Sequence, residues 1–306
     1  MGGRPALRLR LRGTTLEIRP GAPLVMGVVN ASPESFSDGP DMATPGRRMA
    51  RAAELLEQGA DLVDVGGESG VTDRAPLEPD EETARILPLV RELVAGGAIV
   101  SVDTWKAPVA RAALEAGAHL INDVSGLADP EIAGQCARFG AGLVVMHTRA
   151  RPKVKQFPAY DDVVGDVRRF LEQRADEAVV QGVGPESVVL DPGPDFAKTP
   201  AQTVEVLRRL GDLTALGRPL LLAVSRKDFV GALTGRAPRG RLAGTLAAIG
   251  EGVDAGASIL RVHDVAAARD YLAVRAALRG EPPVDPSLHL PEHLRREAPA
   301  AGGTGG

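Results

Sequence analysis

Eight short apolar runs recur along the chain, and each ends in a cluster of polar residues. Their β-branched, nearly continuous apolar character is typical of strands buried on both faces, as in a parallel sheet. The runs are LVMGVVN (24–30), LVDVGGES (62–69), IVSVDT (99–104), LINDVS (120–125), LVVMHT (143–148), VVLDP (188–192), LLLAVSRK (220–227) and ILRVHD (259–264).

Stretches with helical spacing separate these runs, for example RRMARAAELLEQG (47–59) and APVARAALEAG (107–117). Strict alternation of strands and helices predicts a parallel sheet. Eight such units over roughly 250 residues are the size of a closed (β/α)₈ TIM barrel. An open doubly wound sheet is the alternative, although it would usually carry a Gly-rich dinucleotide loop after its first strand, and none is present here.

The two ends of the chain differ from this pattern. RLRLRGTTLEIRP (8–20) alternates like a β-hairpin and is expected to cover the bottom of the barrel. Beyond residue 280 the chain becomes Pro-rich and then Gly-rich, which predicts a mostly disordered tail. We therefore expect one α/β domain over residues 1–280 and a tail over residues 281–306.

Composition narrows the class of protein. Hydrophobic residues make up 44 % of the 306 residues, enough for a large core, and the formal net charge is -4. That charge gives no general electrostatic reason to bind nucleic acid or an anionic membrane. The single cysteine, Cys136, excludes an intramolecular disulfide and indicates a reducing compartment. Without a signal-peptide pattern or a long apolar run, we expect a cytoplasmic protein.

In a barrel the carboxyl ends of all strands converge on one mouth, where function resides. The run ends present a polar set there, namely Asn30, Glu68, Ser69, Asp103, Asn122, Asp123, His147, Asp191, Ser225, Arg226, Lys227, Arg261, His263 and Asp264. Carboxylates and amides suit a ligand with adjacent N–H donors, such as a 2-amino-4-oxopteridine edge. The cations of the last two runs suit phosphate oxygens. An aminopterin diphosphate fits both halves, and a sugar phosphate remains an alternative.

Several ordered motifs resemble those of dihydropteroate synthases, over about residues 24 to 278. They are MGVVNASPESFSDG, GADLVDVGGES, SVDTWKAPVARAALEAGAHLINDVSG, VVMHTR, DPGPDFAKT, VSRKDFVG and RLAGTLAA…GASILRVHDV. The family reaction joins 6-hydroxymethyl-7,8-dihydropterin diphosphate to p-aminobenzoate and releases diphosphate. The resemblance implies a transferase of folate biosynthesis that uses Mg²⁺ and commonly forms a homodimer. It needs no protein nucleophile.

The resemblance also assigns roles to individual positions. It implies that Asp103, Asn122, Asp191 and Lys227 hold the pterin ring, and that Met146 and Phe196 form apolar walls. Asn30 would bind diphosphate and Mg²⁺, and Arg261 and His263 would bind anionic oxygens. The loop NASPESFSDG, with Phe36, Ser37 and Asp38 at its centre, would close over the site. Catalysis is thus expected from Lys227, Arg261, His263 and Asp38.

Three departures from the family pattern lie on the loops. Gly70 and Val71 replace the Thr-Arg that usually follows GGES, Asp228 replaces a Ser associated with the p-aminobenzoate carboxylate, and Pro194-Asp195 replaces Ile-Gly. Two carboxylates face each other unfavourably unless a cation intervenes. The alternatives are therefore a pterin-binding paralogue with altered or absent p-aminobenzoate activity and, ranked last, a pterin-binding methyl-transfer module.

Overall fold

The computed structural model describes residues 5–31, 44–68 and 75–295. An antiparallel hairpin comes first, formed by β1 (Leu7–Leu11) and β2 (Thr14–Ile18). Eight strands of a second sheet follow, namely β3 (Leu24–Asn30), β4 (Leu62–Gly66), β5 (Val100–Asp103), β6 (Leu120–Asp123), β7 (Gly142–Met146), β8 (Val188–Asp191), β9 (Leu221–Leu222) and β10 (Ile259–Val262).

The second sheet curves into a nearly closed barrel. Its strands are all parallel, in the order β8-β7-β6-β5-β4-β3-β10-β9. A single parallel bridge between Leu190 and Leu220 joins the two ends of that order. The predicted eight-stranded TIM barrel with an N-terminal hairpin is therefore confirmed.

Helices alternate with the strands, because each crossover must return the chain to the start of the next parallel strand. They are α1 (Pro45–Glu57), α2 (Pro79–Ala95), α3 (Ala107–Glu115), α4 (Glu131–Phe139), α5 (Val163–Val180), α6 (Pro200–Arg208), α7 (Asp228–Thr234), α8 (Leu242–Ala255) and α9 (Val265–Arg279). Helix α6 begins with a capping box in which Thr199 and Gln202 exchange side-chain and backbone hydrogen bonds. This cap fixes the helix that directly follows the β8 loop.

The hairpin covers the bottom of the barrel, as its alternating sequence predicted. Leu9, Leu11 and Ile18 are buried against the inward residues near the starts of the barrel strands, namely Met26, Leu62, Leu120, Val144, Val189, Leu221 and Ile259. Each fully buried Leu or Ile side chain stabilises the fold by about 1.5–3 kcal/mol. The bottom is thus closed by packing, and polar chemistry is confined to the opposite mouth.

Most strands are shorter than the apolar runs that predicted them. Their polar ends lie in loops beyond the ladder, and β9 contains only Leu221 and Leu222 of the predicted run 220–227. Helix α9 ends at the left-handed residue Gly280, and residues 281–295 form local turns and one short 3-10 helix, Glu292–Leu294. The disorder expected of the tail stays a prediction. No helix within the described ranges is long and apolar enough to span a membrane.

Candidate active site

Four strand ends form one row across the mouth of the barrel. Asn30 pairs in register with Gly66, Gly66 with Asp103, and Asp103 with Asn122. A Cβ on Gly66 would lie 3.6 Å from Asp103 Cβ and 3.7 Å from Asn30 Oδ1. The glycine therefore leaves room for the Asn30 amide and the Asp103 carboxylate on the same side of the sheet.

Arg261 joins three of the site side chains into one network. Its Nε donates to Asp64 Oδ2 at 2.7 Å, and its Nη2 donates to Asp103 Oδ2 at 2.8 Å. Asn122 Nδ2 also donates to Asp64 Oδ2, at 3.1 Å. Burial alone would lower the pKa of Arg261, but the carboxylates of Asp64 and Asp103 outweigh it and raise that pKa. The guanidinium is thus a permanent positive charge at the centre of the mouth.

Two buried oxygen atoms of this network accept no hydrogen bond from the described residues. Asp64 Oδ1 and Asn122 Oδ1 have no hydrogen-bond partner among the residues that the structure describes. Leaving a buried polar atom unpaired costs about 1–3 kcal/mol. A ligand that brings N–H donors to these oxygens would recover that cost, which suits the amino-pteridine edge expected from the sequence.

Asp103 and Asp191 both have carboxyl pKa values raised by burial. Burial raises the pKa of Asp103 to about 7, although Arg261 acts in the opposite direction. Burial also raises the pKa of Asp191, whose Oδ1 accepts a hydrogen bond of 2.7 Å from the Gly193 N–H. A carboxyl group with a pKa near neutrality can either accept or donate a hydrogen bond at a ligand edge.

Lys227 lies on the opposite side of the mouth, after β9. Its Nζ is 4.2 Å from the centre of the Phe196 ring, a cation–π distance. Burial lowers the pKa of Lys227, against the attraction of Asp195 and Asp191. The predicted apolar wall and the predicted ring-binding lysine are therefore in contact with each other.

His263 and Arg226, the other predicted cations, are engaged with protein groups. His263 Nδ1 is 2.9 Å from Ser225 Oγ, and Arg51 donates to the His263 carbonyl at 2.7 Å. Arg226 makes two hydrogen bonds with the Asp264 carboxylate, at 3.0 and 2.6 Å. Arg226 therefore anchors the start of α9, while His263 stays beside Arg261 on the chain.

The walls of the site are set by a close approach of the β7 and β8 ends. Met146, which is buried, pairs in register with Asp191. Gly193 has φ +64°, and a Cβ there would lie 2.1 Å from the His147 carbonyl oxygen and 3.3 Å from Met146 Cγ. Only glycine fits at this position, because both the backbone conformation and the space exclude a side chain.

A second charged cluster lies at the edge of the mouth. Lys106 Nζ contacts Glu68 Oε2 at 2.7 Å and Glu82 Oε2 at 2.6 Å, and Lys153 Nζ lies 3.0 Å from Glu68 Oε1. These side chains are almost fully buried and join loops that follow β4, β5 and β7. Buried charges paired in this way fix the rim of the mouth.

Sequence reasoning missed Asp64 and Lys198. Asp64 interrupts the apolar run LVDVG, and a charge in a strand buried on both faces requires a partner, so a signal was present. Lys198 is nearly fully buried and is described below. Phe36, Ser37, Asp38, Gly70 and Val71 lie outside the described residues, so the calls made on them stay predictions.

The predicted Mg²⁺ ligand, Asn30, has suitable chemistry. Mg²⁺ takes hard oxygen ligands and usually keeps waters and substrate phosphates with one or two protein oxygens. The Asn30 amide oxygen lies at the mouth beside Gly66, as required for one such ligand. Within residues 5–31, 44–68 and 75–295, no group of three or more His, Cys, Asp or Glu residues forms a cage for a metal.

Comparison with known proteins defines the class and then the family. The family model described as pterin binding enzyme matches residues 26–263. Dihydropteroate synthase of Neisseria meningitidis serogroup C is 41 % identical over 270 residues, which are 86 % of this chain and 95 % of that protein. A structure of Xanthomonas albilineans dihydropteroate synthase with 4-aminobenzoic acid has a TM-score of 0.83 at 41 % identity and covers 90 % of this chain and 99 % of that one. The chain belongs to the dihydropteroate synthase family of pterin-binding enzymes.

One relative in this family differs in activity. The inactive dihydropteroate synthase 2 of Mycobacterium leprae is 39 % identical over 268 residues, which are 85 % of this chain and 92 % of that protein. Overall similarity at this level is therefore shared by active and inactive members.

Proposed function

We propose that this protein is an active dihydropteroate synthase that condenses 6-hydroxymethyl-7,8-dihydropterin diphosphate with p-aminobenzoate and releases diphosphate. The observation that carries the proposal is the buried network of Asp64, Asp103, Asn122 and Arg261 at the barrel mouth. Asp191 and Lys227 add a third carboxyl group and a second cation to it.

The chain's own groups account for recognition of the ring. Carboxylate and amide oxygens of Asp103, Asn122 and Asp191 accept hydrogen bonds from the amino and ring N–H groups. Lys227 donates to a ring acceptor, while Met146 and Phe196 cover the apolar faces. In this proposal the methylene carbon of the substrate points toward the outer part of the mouth.

Catalysis then depends on charge. The methylene C–O bond breaks as diphosphate leaves, the amine nitrogen of p-aminobenzoate forms the new C–N bond, and the amine loses one proton to solvent or to the departing diphosphate. Arg261 and His263 stabilise the negative charge that develops on the leaving oxygens. Mg²⁺, with Asn30 as a protein ligand, supplies further neutralisation of the diphosphate when bound. Asp38 is assigned to the closing loop.

The second substrate separates this proposal from the paralogue alternative, in which p-aminobenzoate activity is altered or absent. Asp228 Oδ1 accepts a hydrogen bond of 2.9 Å from Arg241 Nη1. Arg241 also donates to the Arg226 carbonyl at 2.8 Å, so its guanidinium is fixed beside Asp228. The cation that two facing carboxylates require is thus in place, which favours p-aminobenzoate as the amine.

The proposal also covers the cellular compartment, the cofactor and the oligomeric state. We assign it to the cytoplasm, with Mg²⁺ as cofactor and a homodimer as the assembled form. Light scattering coupled to gel filtration should give about twice the 31.9 kDa chain mass. A monomer mass across a wide range of protein concentrations would refute the dimer.

The direct test compares the activity of the wild type with that of Asp103→Ala and Lys227→Ala, after circular dichroism has shown that both variants are folded. We expect dihydropteroate formation with the dihydropterin diphosphate, Mg²⁺ and p-aminobenzoate, and its loss in both variants and on chelation of Mg²⁺. Full activity in both variants would refute the assigned site. Binding of the pterin without formation of dihydropteroate in the wild type would favour the paralogue alternative.

A further inference from the structure

Among the residues that the structure describes, Lys198 is the largest fully buried side chain, with 1 % of its surface exposed. It lies just after the β8 loop, two residues before α6 begins. Its Nζ contacts His147 Nδ1 at 2.7 Å, the Gly193 carbonyl at 2.9 Å and the Phe196 carbonyl at 3.1 Å. A protonated lysine has three N–H donors, so each donor has an acceptor.

The histidine that accepts from Lys198 is held in one form. Burial, with Lys198 as the next largest cause, lowers the pKa of His147 to about 3, so the ring is neutral. His147 Nε2 lies 3.0 Å from Asp166 Oδ2, which fixes the ring proton on Nε2 and leaves Nδ1 as an acceptor. Asp166 is in turn bound by Arg149 Nε at 2.9 Å. A chain of hydrogen bonds therefore runs from α5 to Lys198.

The loop that Lys198 holds has an unfavourable backbone. Asp195 and Ala197 have φ values of 63° and 51°, in the left-handed region that non-glycine residues rarely adopt. Such conformations persist only where surrounding contacts impose them. Between them lies Phe196, whose carbonyl binds Lys198 and whose ring faces Lys227.

Hydrogen bonds of Asp195 and Ala197 join the loop after β8 to neighbouring elements, including α7. Asp195 Oδ2 accepts from the Phe229 N–H at 3.1 Å, and Asp195 Oδ1 accepts from Thr203 Oγ1 at 3.1 Å. Tyr160 donates to the Ala197 carbonyl at 2.9 Å. Contacts at the surface of the loop thus come from α6, α7 and Tyr160. From within, Lys198 binds both the Gly193 and the Phe196 carbonyls, and the Phe196 N–H also donates to the Gly193 carbonyl at 3.1 Å.

We propose that Lys198 is a positioning residue for the pterin: its buried amino group, bound to His147 and to two carbonyls of the β8 loop, fixes Phe196 and Asp191 against the ring. The inference rests on the proposed function, because the ring is the ligand of the proposed synthase. Lys198 itself touches neither substrate. Without it, the Phe196 wall and the Gly193 turn that binds Asp191 lose their common anchor.

The test measures two ligands separately by calorimetry on the full chain. One is 6-hydroxymethylpterin, which has the ring and no phosphate, and the other is diphosphate with Mg²⁺. Lys198→Met should weaken binding of 6-hydroxymethylpterin by about tenfold or more, because sub-ångström placement of the wall decides ring affinity. Binding of diphosphate with Mg²⁺ should stay within about twofold, since Arg261 is held by Asp64 on β4 and Asp103 on β5 and not by the β8 loop.

Two other variants make the result interpretable. Arg208→Met removes an exposed cation from α6 and should leave both affinities unchanged. Lys198→Gln keeps a neutral donor for one carbonyl and should recover part of the ring affinity, and it carries the test if Lys198→Met does not fold. Folded Lys198 variants that bind 6-hydroxymethylpterin like the wild type, or that lose both ligands equally, would overturn the inference. A wild type that binds no 6-hydroxymethylpterin would instead overturn the proposed function, and this inference with it.

Discussion

The guanidinium of Arg261 on β10 reaches across β3 to the Asp64 carboxylate on β4, with Nε 2.7 Å from Oδ2. Asp64 is fully buried, and the Arg261 side chain is 18 % exposed. The same guanidinium holds Asp103 on β5, so one cation orients carboxylates from two strands of the barrel. The relationship makes Asp64 part of the site although no ligand role was predicted for it.

Removing the Asp64 carboxylate should therefore destabilise the protein strongly. Asp64→Ala leaves Arg261 with one of its two carboxylates, and breaking a buried ion pair costs about 3–5 kcal/mol. Asp64→Asn keeps an acceptor and should cost less. Urea denaturation measures both, and Asp176→Asn on the exposed face of α5 is the control. Equal stability of Asp64→Ala and Asp176→Asn would contradict the role of the pair.

The pH dependence of stability should carry opposite contributions from Asp103 and His147. The folded Asp103 carboxyl keeps its proton up to its pKa of about 7, whereas the unfolded carboxyl loses it near 3.8, so its contribution falls as pH rises between these values. The pKa of His147 falls from 6.5 to about 3 on folding, so its contribution rises with pH over that window.

Asp103→Asn isolates the histidine contribution. Its free energy of unfolding should rise more steeply with pH between about 4 and 6.5 than that of the wild type, by up to about 1.4 kcal/mol per pH unit for one proton. Urea titrations at a series of pH values measure the slopes. Parallel curves for the wild type and Asp103→Asn would show that burial does not raise the pKa of Asp103.

Gly217 is a matched control for Gly193, whose backbone lies against the His147 carbonyl beside Asp191. Both have left-handed φ values, +64° and +67°, but a Cβ on Gly217 meets nothing within 4 Å. Gly217→Ala should cost about 1–2 kcal/mol from the backbone alone. Gly193→Ala should cost a further 1–3 kcal/mol or so from the clash with the His147 carbonyl, and it should also weaken pterin binding. Equal losses in the two variants would contradict the tight contact.

Arg241 should matter more for p-aminobenzoate than Asp228 does. Asp228 is 78 % exposed at its side chain and paired, so Asp228→Ser should change the KM for p-aminobenzoate by less than about fivefold. Arg241→Gln removes the cation paired with the Asp228 carboxylate and should raise that KM, with a smaller effect at high salt. The double variant should recover the loss. A large gain of turnover in Asp228→Ser alone would favour the paralogue alternative.

The barrel could be predicted from the sequence because the alternation of strands and helices is visible in short stretches of the chain. Alternating apolar runs and helical stretches determine the parallel sheet, and convergence of strand ends then places Asp103, Asn122 and Asp191 at one mouth. The limits of β9 could not be predicted in this way. Its apolar run continues to Val224, but the chain turns at Arg226, which has φ 59°, and leaves the ladder after Leu222.

Long-range polar contacts between side chains are the part of the site that the sequence did not indicate. Arg261 and Asp64 are 197 positions apart, and Lys198 and His147 are 51 apart. No sequence periodicity relates residues so far apart. Whether their side chains meet depends on how the barrel brings distant strands and loops together. Asp195 replaces the usual glycine at a left-handed position, and its carboxylate binds the Phe229 N–H, a compensation visible only in three dimensions.

The central claim is most directly tested by following both products of one reaction mixture. Purified protein, the dihydropterin diphosphate, Mg²⁺ and p-aminobenzoate should release diphosphate and form dihydropteroate in equal amounts, and neither should accumulate with Lys227→Ala. Tight binding of the pterin without dihydropteroate, under conditions in which a known synthase is active, would contradict the account and place this protein with the inactive members of its family.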